Sequence, residues 1–143
     1  MTVEEARAAR IVAAARAELG GAFRPQGRGE EGLDCLGLAL RALAAGGCRV
    51  DMPRLPMRGH SVEQVHGWLC AAGFARLEVE EASPGDLLLS FPATRQAHLA
   101  VRTAEGFVEA NAQLRRVVER PWGGGGVWDS AWCIGAGAVK GRG

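Results

Sequence analysis

The hydrophobic period of this chain changes once, near Gly73, and that change restricts the fold more than any other feature. Before it, apolar residues recur at helical spacing; after it, they alternate or run in short blocks. Thr2 with Glu5 three residues on forms a capping box, and the alanine-rich stretch Val3 to Leu19 stops at Gly20-Gly21, so a first helix is expected there. Gly20 to Gly32 has glycines and charges but no apolar period, which predicts a loop. A second helix starts at Asp34 or Cys35, with Asp34 as its cap, and runs through Leu36, Leu38, Leu40 and Leu43 to Gly46-Gly47. Ser61 with Gln64 opens a third, through Val65, Trp68 and Leu69, that ends near Gly73.

Beyond Gly73 the pattern is that of strands. Leu77-Glu-Val-Glu alternates, Ser83-Pro84-Gly85-Asp86 is a turn, and Leu87 to Phe91 is a short apolar run. Further strands are expected at His98 to Arg102, Phe107 to Asn111, Arg115 to Arg120 and Ala131 to Ala136, with Gly123 to Gly126 as a loop between two of them. Helices followed by an antiparallel sheet define an α+β class.

With 143 residues the chain suits one domain, and 48% hydrophobic against 23% charged residues is ordinary for a chain that folds. Seventeen basic and sixteen acidic residues give no electrostatic footprint for nucleic acid. The first twenty residues include Glu4, Glu5, Arg7, Arg10 and Arg16, so no secretory leader is expected and the chain is expected to be made in the cytoplasm. No run approaches the roughly 18 apolar residues of a membrane span.

The four cysteines form no Cys-x-x-Cys pair, and no His, Cys and carboxylate cluster has ligand spacing, so no metal or cofactor is expected. Cys48, Cys70 and Cys133 sit in apolar surroundings and are expected to be buried, inert thiols. Cys35 differs. It falls in the first turn of a helix, where unpaired N–H groups and the helix dipole favour a thiolate and can also receive an oxyanion. Gly32 and Gly37 flank it, small enough to let a substrate backbone approach.

A thiolate nucleophile needs a base, and there are three histidines. His60 lies beside a helix cap and His66 within the third helix, which suits structural roles. His98 opens the alternating run His98-Leu99-Ala100-Val101-Arg102, where a rigid strand would hold its imidazole on one face with Ala100 and Arg102. The next strand supplies two groups able to orient that ring, Glu109 and Asn111, which point the same way.

Taken in order, Leu19-Gly20-Gly21-Ala22-Phe23, Gly32-Leu33-Asp34-Cys35-Leu36-Gly37-Leu38, Gly46 to Pro53, Ser83-Pro84-Gly85-Asp86-Leu87, Ala97-His98-Leu99-Ala100-Val101 and Phe107-Val108-Glu109-Ala110 cover most of residues 8 to 135. This ordered set resembles the NlpC family of cell-wall cysteine peptidases, in particular, through Leu36, the branch carried by phage tails and gene transfer agents. The resemblance implies a single papain-like domain over residues 1–143, with helices packed on a mostly antiparallel sheet of about five strands. It implies a thiol protease cleaving peptide stems of peptidoglycan, of the D-glutamyl to diamino acid type, through an acyl-enzyme. Cys35 is then the nucleophile, His98 the base and Glu109 the third residue, with Asn111 as the alternative orienter. Asp34, Phe23 and Gln26 are placed at the oxyanion and substrate side. The implied partners are peptidoglycan stem peptides and phage-like tail proteins, with action at the cell wall.

Two positions depart from the family pattern. Its third residue is more often His, Asn or Gln than Glu, and Phe23 stands where a Tyr commonly places a hydroxyl near the oxyanion. A weakly active or silent module of the same fold, or an amidase or acyltransferase, would use the same residues.

Overall fold

The computed structural model describes residues 1–29, 32–50, 57–123 and 127–134. Gly124–Gly126, Gly135–Ala136 and Asp51–Pro53, to which the expected loop, the end of the last strand and part of the third motif extend, lie outside the described residues.

Three helices precede the main sheet. Val3–Ala17 (α1) is opened by the expected capping box, with Thr2 Oγ1 accepting from Glu5 N at 3.0 Å and Glu5 Oε1 accepting from Thr2 N at 2.9 Å. It buries Ile11, Val12 and Ala15, one stripe at helical spacing. Cys35–Ala45 (α2) is buried almost all round, through Leu36, Leu38, Ala39, Ala42 and Leu43, which makes it the central helix. A fully buried leucine here contributes about 1.5–3 kcal/mol of transfer free energy. The helices α1 and α2 lie close because Gly46 has no side chain; a Cβ there would come within 2.6 Å of Ile11 Cγ1. Val62–Ala71 (α3) starts at the Ser61–Gln64 capping box and packs through Val65 and Leu69.

The loop after α1 is more structured than its composition suggests. Arg28–Gly29 (β1) pairs antiparallel with Gly32–Leu33 (β2), and Phe23 bridges to Leu33 while Ala22 bridges to Arg116. Backbone hydrogen bonds, not an apolar pattern, tie this segment to both α2 and the sheet.

Six strands then form one antiparallel sheet: Phe74–Leu77 (β3), Leu87–Ala93 (β4), Gln96–Arg102 (β5), Gly106–Asn111 (β6), Arg116–Pro121 (β7) and Ser130–Ile134 (β8). The spatial order is β3-β8-β4-β5-β6-β7, so the last strand inserts between the first two, and the sheet has six strands where about five were expected. The alternating stretch Leu77 to Glu80 is not a strand. The strand ends at Leu77, and Val79–Glu81 forms a 3-10 turn, because Glu81 Oε1 accepts from Glu78 N at 3.0 Å and so offers the backbone an alternative to a ladder.

Alternation decides the two faces. Leu99 and Val101 of β5 join Val108, Ala110, Val117 and Trp132 in the main core with the helices. Ala100 joins Leu88, Phe107 and Ala131 in a smaller cluster, with Trp128 packed against it. Such a split is what period-two strands produce.

Candidate active site

Cys35 is the first residue of α2, buried at 6% exposure. Asp34 caps the helix: its Oδ1 accepts from Gly37 N at 2.7 Å, and its Oδ2 accepts from Gln26 N at 3.1 Å. Gln26 reaches that carboxylate from a left-handed backbone conformation, φ 57°. One carboxylate thus joins the helix start to the preceding loop. The backbone N–H of Gln26 is therefore committed to Asp34, which leaves its side-chain amide as the part able to meet a substrate.

The flanking glycines do not make room for a substrate, contrary to expectation. A Cβ on Gly37 would lie 2.1 Å from Gly27 O, and one on Gly32, whose φ is 142°, would lie 2.8 Å from Arg24 Cβ. Both glycines let the chain's own loop close against the cysteine-bearing helix.

His98 approaches from β5, where Ser90 of β4 is its cross-strand partner. Its Nε2–H donates to Glu109 Oε1 at 2.6 Å. That leaves Nδ1 as the ring nitrogen able to meet the Cys35 thiol, which lines the same cleft and lies near enough to act on the imidazole. Trp128 stacks over the imidazole, with ring centroids 6.3 Å apart and planes 18° apart, and Phe107 meets Trp128 edge-on at 5.0 Å. Burial disfavours a charged imidazole, but the hydrogen bonds and charges of Cys35 and Glu109 outweigh it and raise the His98 pKa from 6.5 to about 9. Burial likewise opposes an ionised Glu109, and its hydrogen bonds to His98, Asn111 and Arg120 prevail, holding the carboxyl below its ordinary range.

Glu109 and Asn111 thus take different places. Glu109 contacts His98, while Asn111 Nδ2 donates to Glu109 Oε2 at 3.1 Å. Arg120, which no sequence pattern singled out, donates to the same oxygen at 3.3 Å. Its position follows from strand register. Glu109 faces Val118 and Phe107 faces Arg120, so Arg120 is the diagonal neighbour of Glu109 on the same face.

Cys35 and His98 open onto a cleft of about 530 Å³, lined also by Phe23, Pro25, Gln26, Asp34, Met57, Arg58, Gln96 and Ala110. All the residues expected on the substrate side therefore line one cavity, whereas Met57, Arg58 and Gln96 carried no signal in the sequence. Among the described residues, no three His, Cys, Asp or Glu side chains are grouped to hold a metal, and no helix is long and apolar enough to cross a membrane.

The other histidines and cysteines sit elsewhere. His60 meets Trp68 edge-on at 4.6 Å, and His66 Nε2 lies 2.7 Å from Asp129 Oδ2. Cys48 is buried and Cys133 half-buried, and burial pushes both thiols up. Cys70 is exposed, against expectation. The buried face of α3 is set by Val65 and Leu69, and the residue after Leu69 is turned about 100° away from it.

No protein-family model matches the chain, and no curated protein matches it. Solved structures do. The chain is similar to the NlpC/p60 domain of the peptidoglycan hydrolase SagA, with TM-score 0.61 and 23% identity over 89% of this chain and 98% of that one. It is similar to the peptidoglycan hydrolase RipB from Mycobacterium tuberculosis, with TM-score 0.66 and 21% identity over 92% of this chain and 66% of that one. The P60 domain of an antigen from M. avium subspecies paratuberculosis matches with TM-score 0.65 and 18% identity over 97% and 99% of the two chains. The fold is the papain-like α+β fold of NlpC/p60 domains.

Proposed function

We propose that this chain is a cysteine peptidase that hydrolyses peptide-stem amide bonds of bacterial peptidoglycan, with Cys35, His98 and Glu109 as its reacting and orienting residues. The observation that carries this reading is that Cys35, at a helix start, and His98, bonded to Glu109 at 2.6 Å, share the wall of a cleft of about 530 Å³. The similarity of fold to peptidoglycan hydrolases supports the choice of substrate.

With the proton on His98, Cys35 Sγ attacks the scissile carbonyl carbon. The N–H of a first-turn residue has no carbonyl partner within its helix, so that of Cys35 is the nearest donor for the resulting oxyanion. His98 passes its proton to the leaving amine, the C–N bond breaks, and an acyl-enzyme remains. Water, deprotonated by the now neutral imidazole, attacks the thioester and releases the acid. Glu109 keeps Nε2 occupied throughout, so Nδ1 always faces the sulfur.

Phe23 supplies no hydroxyl to this cleft, which favours a slow enzyme over a fast one. Cleavage between D-glutamate and the diamino acid follows the family resemblance. Action at the cell wall and delivery on a phage-like tail rest on the sequence resemblance. The test is digestion of purified muropeptides, with products resolved by mass. Wild type releases stem fragments and Cys35→Ala releases none; intact stems after incubation with wild type would contradict the proposal.

A further inference from the structure

A glutamate beside a reacting histidine raises a difficulty that a neutral orienting residue does not. Glu109 is 6% exposed at its side chain and sits 2.6 Å from His98, so it holds the imidazolium tightly. A base that must give its proton to a leaving amine works best when that proton is not trapped. The carboxylate's other oxygen carries two further donors. Oε2 accepts from Asn111 at 3.1 Å and from Arg120 at 3.3 Å.

We propose that Arg120 is a positioning residue whose guanidinium partly offsets the Glu109 carboxylate, so that Glu109 orients His98 while holding its proton less tightly than an uncompensated carboxylate would. This deepens the reading of Cys35 and His98 as the reacting pair and rests on it. Asn111 and burial already fix the carboxylate's direction, so what Arg120 adds is charge. Burial favours a protonated carboxyl and opposes the ionised one. A cation on the oxygen remote from His98 keeps the carboxylate ionised and draws its charge away from the ring. At 41% exposure Arg120 contributes little to the core, so its removal is not expected to unfold the chain.

Other charged and polar groups near the pair come from the neighbouring elements. From α2, Asp34 is taken up by the N–H groups of Gly37 and Gln26, and Cys35 by His98. From β4, Ser90 stands opposite His98. From β5, Arg102 donates to Gly106 O at 2.9 Å and lies 4.0 Å over the Trp122 ring. From β7, Val118 faces Glu109, and among the described residues Arg120 is the one cation besides the His98 imidazolium bound to its carboxylate.

The experiment is a side-chain NMR titration of the histidines in the full chain, with His98 assigned by loss of its signal in His98→Gln. Replacing Arg120 by Gln or by Met removes the balancing charge, and each raises the His98 midpoint by about half a unit, the size of a partly exposed charge acting across several ångströms. Arg120→Lys keeps the charge and leaves the midpoint within about 0.2 unit of wild type. A midpoint that stays put or falls in both neutral variants overturns the proposal, because Arg120 is then inert or serves only to hold Glu109 in place. The His60 and His66 signals report folding in each variant. Muropeptide digestion is run in parallel. If wild type cleaves no stems, the peptidase reading fails while the titration still decides the role of Arg120.

Discussion

His98 and His66 each meet a carboxylate at nearly the same separation, 2.6 Å to Glu109 and 2.7 Å to Asp129, yet the two pairs have different neighbours. The ring of His98 continues to a thiol at a helix start and opens on a cleft. The carboxylate beside His66 continues inward. Ser130 Oγ donates to Asp129 Oδ2 at 2.8 Å, Trp132 Nε1 donates to Ser130 Oγ at 2.8 Å, and the chain ends on side chains buried in the sheet. It clips α3 to β8 and anchors the segment that places Trp128 over His98. A histidine–carboxylate contact is therefore not a site in itself. What the third group can do decides whether it serves chemistry or packing.

The two pairs should respond differently to truncation. On this account His98→Ala lowers kcat/KM for stem hydrolysis by about 10²–10⁴, the usual contribution of a general base. His66→Ala leaves kcat/KM of the same order and shows its effect in unfolding, costing about 0.5–1.5 kcal/mol because the partly exposed Asp129 loses one hydrogen bond and keeps that from Ser130. Comparable activity losses in both variants would break the comparison.

Neutralising the carboxylates sharpens it. Glu109→Gln removes one of the two groups that raise His98, so the alkaline limb of the pH–rate profile moves down from about 9 while Cys35 still holds it up. Asp129→Asn leaves that limb in place.

Stability should carry the same contrast at smaller amplitude. The folded-state pKa of His98 is raised, so its contribution to stability is fully present below 6.5 and lost as the pH rises through about 9. Glu109 and Asp129 are lowered despite burial, so their contributions are present above their ordinary values of 4.5 and 3.8 and lost as the pH falls through their folded-state values. Thermal scans should show the Tm of wild type falling between pH 7 and pH 9.5 more steeply than that of His98→Gln.

Much of this arrangement was legible because it is local. The capping boxes at Thr2 and Ser61, the cap at Asp34 and the alternation through His98 to Arg102 depend on residues within a few positions of one another. What escaped was long-range or had a local competitor. The insertion of β8 between β3 and β4 joins residues more than forty positions apart, and nothing in either strand encodes its partner. Trp128 follows a glycine patch without period, so its stack on His98 left no trace in the pattern. Arg120 was recoverable in principle from hairpin register, which puts it diagonal to Glu109, but that requires the pairing of β6 with β7 to be known to the residue. Leu77 to Glu80 alternates like a strand, and a side-chain hydrogen bond from Glu78 N to Glu81 bends the chain into a turn instead. Cys70 lies among apolar residues in sequence, and one step around α3 exposes it.

The exposed Cys70 makes the most direct test of the central claim, that contact with His98 turns Cys35 into a reactive thiol. Limited alkylation with iodoacetamide near pH 6.5, read out residue by residue by mass spectrometry, sets activation against access. If His98 activates Cys35, it labels first even though it is 6% exposed, ahead of exposed Cys70 and of Cys48 and Cys133, whose thiols are pushed up by burial. In His98→Ala that lead disappears. Labelling that follows exposure, with Cys70 first and Cys35 as slow as Cys48, would contradict the account.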